Sequence, residues 1–275
     1  MAGASSSDRA HLRSPSCLSA GELLAHADVG PVLSALLAQL RDVLGARLVG
    51  VYVYGSLTAG GYDCGVSDVD VLCLSASPIS DADLDALAAM HDRLADAHPA
   101  FIDRVEVIYA DRAGVLGFRQ APAAGAVISP GHGLRRTAMG CEWLPNWYLA
   151  ATGVAVHGPP AETVLPAVTY EEFLARISAD LAGWPRLARE ARRTKSLGYA
   201  VLTVSRGWCT LMAGRHVSKH QAALAVKVAF PHFGALIDDA FAWRAASPAQ
   251  VPDPETARGR VVELVDELVA DALTR

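Results

Sequence analysis

No apolar stretch of this chain approaches the ~18 residues that a membrane-crossing helix needs, so no spanning segment is expected. Cysteine is sparse: the five residues Cys17, Cys64, Cys73, Cys141 and Cys209 are odd in number and form no C-x-x-C pair, which argues against a disulfide framework and a zinc site. The nine histidines show no H-E-x-x-H spacing. A basic excess is also missing: 24 Lys and Arg face 29 Asp and Glu, for a net charge of −5, so no nucleic-acid partner is expected. Residues 1–16 are rich in Ser and Arg and lack the apolar core of a secretory signal. Residues 1–17 are therefore expected to be a flexible leader on a cytoplasmic protein, without a membrane partner. What remains is a globular, alanine-rich composition, 52% hydrophobic and 19% charged, long enough for two modest domains.

The strongest chemical signal is LVGVYVYGSLTAGGYDCGVSDVDVLCL, from Leu48 to Leu74. Two short apolar runs, Val49–Tyr54 and Val69–Leu74, read as buried strands, and Cys73 in the second reads as a small buried hydrophobe. Gly55-Ser56 ends the first strand abruptly. A glycine there lets the backbone approach phosphate oxygens, with N–H groups and a hydroxyl turned outward. Asp68 and Asp70, two apart, project from one strand face. Paired carboxylates repel unless a cation or protons lie between them. A hard ion such as Mg2+, shared with substrate phosphates, suits them. The set describes a site for a metal-bound nucleoside triphosphate.

Around this segment the pattern predicts a helix over Pro31–Leu44, a helix over Asp81–His98 capped by Ser80, and a third strand over Ile102–Tyr109. Ala121–Gly133 reads as a loop bordering the site, Gly140–Ala151 as a helix and Gly153–His157 as a short strand. Gly158-Pro159-Pro160 marks a boundary, giving domains 18–158 and 159–275. Beyond it only helices are expected: Tyr170–Leu181, Pro185–Arg193, Leu197–Ala213, Ser218–Val228, Gly234–Ala245 and Pro254–Leu273. The expected class is α+β, a mixed sheet with helices followed by an all-α bundle. Small-molecule sites commonly lie at domain interfaces, so a cleft is the expected location.

Strand, Gly-Ser, loop and Asp-x-Asp on the next strand resemble the signature of the DNA polymerase β-like nucleotidyltransferases. Glu106, in Arg104-Val-Glu-Val-Ile-Tyr109, stands where that superfamily carries a third acid. Val201–Gly214 with the following Val217-Ser-Lys219 is similar to the helical domain of the streptomycin/spectinomycin adenylyltransferases. The resemblance covers about Leu48 to Trp243 and implies ATP and Mg2+, with Arg206 and Lys219 on the triphosphate. It implies Asp68, Asp70 and Glu106 as metal ligands, and Gly55, Ser56 and Ser67 beside the nucleotide. AMP would pass to a hydroxyl of a small, aminoglycoside-like substrate, with pyrophosphate released by a monomer.

Competing readings stand beside these. Glu106 is a general base, a metal ligand, or a strand residue on a solvent face. Ser56 and Ser67 also suit capping. Arg206 lies in an apolar helix, where a charge needs a partner, yet most basic residues on a bundle are simply solvated. Trp143, in Cys141-Glu-Trp-Leu144, resembles a substrate-stacking tryptophan of the family and equally suits a core; Trp243 divides likewise between a nucleotide contact and packing. One departure is plain. The antibiotic-modifying members carry aspartates about ten and fourteen residues before the helix arginine, where this chain has Ser196 and Arg192. Transfer to a different hydroxylated metabolite or protein side chain, or a non-catalytic nucleotide-binding role, are the alternatives.

Overall fold

The computed structural model describes residues 18–246 and 250–274. The expected leader over residues 1–17, with Cys17, lies outside them. The chain divides into two compact units, parting between Thr169 and Tyr170.

The first unit runs α1 (Ala20–Leu24), α2 (Gly30–Leu44), β1 (Leu48–Tyr54), β2 (Val69–Ser75), α3 (Asp81–Ala97), β3 (Val105–Asp111), α4 (Arg112–Leu116), β4 (Ala123–Ser129), β5 (His132–Met139), α5 (Leu144–Ala151) and β6 (Val154–His157). Its six strands form one sheet in the order β5-β4-β3-β2-β1-β6. Only β2 and β3 pair in parallel; α3 makes the crossover between them, as a parallel pair requires. Period-two alternation gives each central strand two buried faces. Val51, Val53, Val71, Cys73, Val107 and Tyr109 pack with Leu36 and Leu40 of α2 and Leu87 and Met90 of α3. Tyr52, Tyr54, Leu72, Leu74, Ile108 and Ala110 are buried on the other face, where α5 lies against β1, and α4 against β3 and β4.

Ala121–Gly133 is not a loop: it holds β4 and the start of β5. Its glycine and alanine content, which reads as a breaker signal, serves packing instead. A Cβ on Gly125 would lie 2.6 Å from the Tyr109 carbonyl and 2.7 Å from the Met139 side chain. Gly140–Ala151 likewise begins as a 3-10 turn and becomes α-helical only at Leu144, where Pro145 occupies the first turn and lacks only an N–H that would be unpaired there.

The second unit contains α6 (Tyr170–Leu181), α7 (Trp184–Glu190), α8 (Thr194–Ala213), α9 (Lys219–Ala229), α10 (Gly234–Ala245) and α11 (Pro254–Thr274). Helix α8 is its axis, touched by the other five. Leu197, Val201, Val204 and Trp208 recur at helical spacing and enter the core. Gly198 lets α10 approach: an added Cβ would lie 3.2 Å from the Ala240 carbonyl and 3.4 Å from the Trp243 ring. Trp243 is 7% exposed and packs within this core. Helix α8 starts earlier than its apolar pattern indicates, with the Thr194 hydroxyl donating to the Pro252 carbonyl at 2.6 Å. It ends at Gly214, in the left-handed conformation with φ 58°.

Candidate active site

Three strands assemble the first half of the site. Tyr54 on β1 faces Asp70 on β2, and Asp70 faces Glu106 on β3. Paired residues on adjacent strands project to the same side, so tyrosine and both carboxylates form one transverse row, with neighbouring backbones about 4.8 Å apart. Asp68, two residues before Asp70, borders this row from the same face and precedes β2 directly. Asp68, Asp70 and Glu106 are all half-buried. The sheet thus brings together the acids that sequence spacing placed on separate segments.

Gly55 follows Tyr54 with φ 72°, a conformation that L side chains rarely adopt. A Cβ there would also lie 2.0 Å from Asp70 Oδ2. Glycine therefore meets both a backbone and a space requirement. Gly55, Ser56 and Leu57 form a 3-10 turn, stabilised by N–H groups of Thr58 and Ala59 donating to the Gly55 carbonyl. Ser67 is fully buried and its Oγ accepts from the Asp63 N–H at 2.9 Å. Its hydroxyl closes the loop before Asp68, the capping role that suits a Ser-Asp turn.

Several supporting residues carry no motif and were not singled out by sequence. Arg104 donates from Nε and Nη2 to the Ser67 carbonyl at 3.1 and 2.9 Å. Its Nη2 also meets the Tyr62 hydroxyl at 3.1 Å, and Tyr62 donates to Asp28 at 2.5 Å. That hydroxyl holds the Asp28 carboxyl below its ordinary range. One arginine at the start of β3 therefore fixes the loop that delivers Asp68. Tyr54 is buried, and burial, followed by the charges of Asp70 and Glu106, pushes its phenol well above the ordinary range. Asn146 on α5 donates to its hydroxyl at 3.4 Å. The only available signal was Tyr54's place at the strand end.

Among the described residues, no group of three or more His, Cys, Asp or Glu side chains is gathered closely enough to hold a metal ion. The expected triad of Asp68, Asp70 and Glu106 is therefore not a closed metal cage. The donor set still suits Mg2+, which commonly takes one or two carboxylates and fills its remaining positions with water and substrate phosphate.

Trp143 is half-buried in the turn Cys141–Trp143 and stacks on Trp147, with ring centroids 6.3 Å apart. Trp147 is fully buried, and its indole Nε1 has no hydrogen-bond partner among the described residues.

Arg206 and Lys219 belong to the second unit. Arg206 is half-buried on α8. It acts electrostatically on His216, whose imidazole is pulled down to about 3, first by burial and then by this arginine. Lys219 opens α9 directly after Ser218, the N-cap of a capping box with Gln221. Its Nζ lies 5.4 Å from the centre of the Tyr199 ring.

Comparison with known proteins adds two findings. Residues 163–271 match the family described as aminoglycoside adenylyltransferase, C-terminal domain. The fold matches that of the spectinomycin adenyltransferase AAD(9) from Enterococcus faecialis, crystallised with ATP and spectinomycin, with a TM-score of 0.71. The match covers 89% of this chain and 99% of the other at 17% identity. No curated protein sequence matches the chain.

Proposed function

We propose, from the match of residues 163–271 to the aminoglycoside adenylyltransferase C-terminal domain family, that the chain is an ATP-dependent O-adenylyltransferase acting on a small hydroxylated molecule. The observation that carries this reading is the row Tyr54–Asp70–Glu106 beside Gly55, two carboxylates next to a turn that only glycine can make.

Asp68 and Asp70 would hold Mg2+, with Glu106 as a further ligand or as the base. The ion would supply charge neutralisation on the triphosphate and on departing pyrophosphate. The turn at Gly55 and Ser56 would offer backbone N–H groups and a hydroxyl to a phosphate oxygen, next to the Asp70 carboxylate that Gly55 leaves room for. Arg206 and Lys219 contact the triphosphate, arginine with the fork geometry suited to phosphate. The acceptor hydroxyl gives its proton to Glu106 and its oxygen attacks the α-phosphorus. The bond from that phosphorus to the β-phosphate oxygen breaks, giving the AMP ester and pyrophosphate.

The test is pyrophosphate release from MgATP across hydroxylated acceptors, with Asp70→Asn as the control. Wild-type release that Asp70→Asn abolishes supports the reading. Undiminished release by Asp70→Asn would remove the metal assignment. The acceptor end departs from an aminoglycoside site: Ser196 and Arg192 are both exposed, and neither supplies a negative charge for a polycation.

A further inference from the structure

The α3 side of the sheet, opposite to Asp70 and Glu106, holds a cavity of about 360 Å3, within the size range of small-molecule sites. It opens between the end of α3, the turn before β3 and the β4–β5 hairpin. Val105 and Ile128 line it from the sheet. Alternation from Glu106 turns Val105 away from the acidic row, and Ile128 pairs with Val107 of the α3-facing core. Phe101 adds an aromatic wall. Asp92 and Asp103 supply two carboxylates, and His91, His98 and His132 supply imidazoles; no Lys or Arg lines the cavity among the described residues. His91 is 7% exposed. Its Nε2 is taken by the Tyr109 hydroxyl, and its other ring nitrogen makes no hydrogen bond among the described residues.

The cations around the cavity are occupied or turned away. Arg104 donates to the Ala100 and Ser67 carbonyls and to the Tyr62 hydroxyl. Arg135 points to the other sheet face by its pairing with Val127, and donates to Ser129 Oγ at 3.2 Å. Arg136 is held by Asp81 and by the Ile79 carbonyl. Arg93 is exposed on α3, about 100° round the helix from Asp92. Among the described residues, neither Asp92 nor Asp103 has an ion-pair partner. Nor are these acids and imidazoles gathered closely enough to hold a metal ion. The counter-charge that suits them, beside an apolar floor, is an organic cation.

Arg104 joins this cavity to the candidate active site. Its guanidinium lies over the Phe101 ring, 4.7 Å from the ring centre, and holds the Ser67 carbonyl. Its own carbonyl accepts from the Val69 N–H at 2.7 Å. Both neighbours of Asp68 are thereby bound to one arginine that is stacked on the cavity wall. We propose that this cavity is a second small-molecule site, taking a compact amine with an apolar body, and that its occupant shifts Asp68 through Phe101 and Arg104. The ammonium pairs with Asp92 and Asp103, and the apolar body lies on Phe101, Val105 and Ile128. None of this depends on the adenylyltransferase reading.

Amide NMR spectra of the isotopically labelled full chain, titrated with phenethylamine, phenethyl alcohol and hydrocinnamate, test it. Phenethylamine is expected to give saturable shifts at His98, Ile102 and Gly131, with shifts at Ser67 and Asp68 following the same curve. Phenethyl alcohol should bind at least about fivefold more weakly, the scale of an exposed ion pair, and hydrocinnamate more weakly still. Asp92→Asn/Asp103→Asn should weaken the amine by a similar factor and leave the alcohol unchanged. Asn keeps the shape of both side chains, tolerates the φ of 56° at Asp103, and retains the Oδ1 that accepts from the Gly131 N–H. No saturation by the amine, equal affinity for the three probes, or amine affinity unchanged in the double variant would overturn the site. Amine shifts centred on Asp68 and Asp70 without the cavity residues would overturn it equally. A saturated cavity with Ser67 and Asp68 unmoved would overturn the coupling to Asp68.

Discussion

Gly55 and Asp70 constrain each other atom against atom. Gly55→Ala must place a methyl where Asp70 Oδ2 now lies and do so at φ 72°. We expect a loss of about 1–3 kcal/mol of stability, the scale of such backbone strain, and loss of MgATP-dependent thermal stabilisation. Calorimetric scans with and without MgATP measure both, and full retention of the MgATP effect would detach Asp70 from the metal. Glu106→Gln keeps shape but cannot take a proton. Turnover should fall ~10^2–10^4-fold with MgATP binding retained if Glu106 is the base; lost MgATP binding would mark it as chiefly a ligand. Away from the site, burial pulls His91 down to about 4, where its Nε2 lies 2.6 Å from the Tyr109 hydroxyl. Its folded value is below the unfolded one near 6.5, so the unfolded chain binds the extra proton. The stability this group contributes is complete above pH 6.5 and is lost as pH falls toward 4, by up to about 3 kcal/mol. Urea titrations at pH 7, 5.5 and 4.5 should show a shallower decline for His91→Gln than for the wild type; equal slopes would contradict the buried neutral histidine.

At the scale of elements, Lys219 depends on how α9 begins. Ser218 accepts from the Gln221 N–H, and the Gln221 side chain accepts from the Ser218 N–H. Ser218→Ala should cost about 1 kcal/mol and loosen the first turn that carries Lys219. Urea unfolding reads the stability, and ATP affinity should fall with it; an unchanged affinity would mean that the position of Lys219 does not matter to the nucleotide. The same scale shows where sequence was readable. Helices α6 and α10 match their expected bounds of Tyr170–Leu181 and Gly234–Ala245, because their periodicity and end signals agree. Strand β4 was hidden because Ala-Ala-Gly-Ala has small residues for a tertiary reason, the approach of Tyr109 and Met139 to Gly125.

For the molecule as a whole, each unit has a core of its own. One gathers α2, α3 and the sheet, and the other gathers the helices around α8. Residues 170–274, expressed alone, are therefore expected to unfold in one cooperative urea transition by circular dichroism; a gradual, non-cooperative loss of helix would refute this. The proposed function asks residues of both units to serve one nucleotide. Arg206→Ala should accordingly weaken ATP binding by roughly 1.5–3 kcal/mol, the range for a hydrogen bond to a charged group. Calorimetry decides it, and an unaltered affinity would remove the second unit from nucleotide recognition.

Local chemistry was enough to place Gly55, Asp68 and Asp70, because strand alternation and the breaking of a strand by glycine act over a few residues. Local chemistry could not make Glu106 a neighbour of Asp70, or identify Tyr54 and Arg104 as parts of the site. Those depend on strand register and on hydrogen bonds between segments distant in the chain, as from Arg104 to Ser67 and from Asn146 to Tyr54. Register is set when two faces of a sheet are buried at once, and only the folded chain meets that condition.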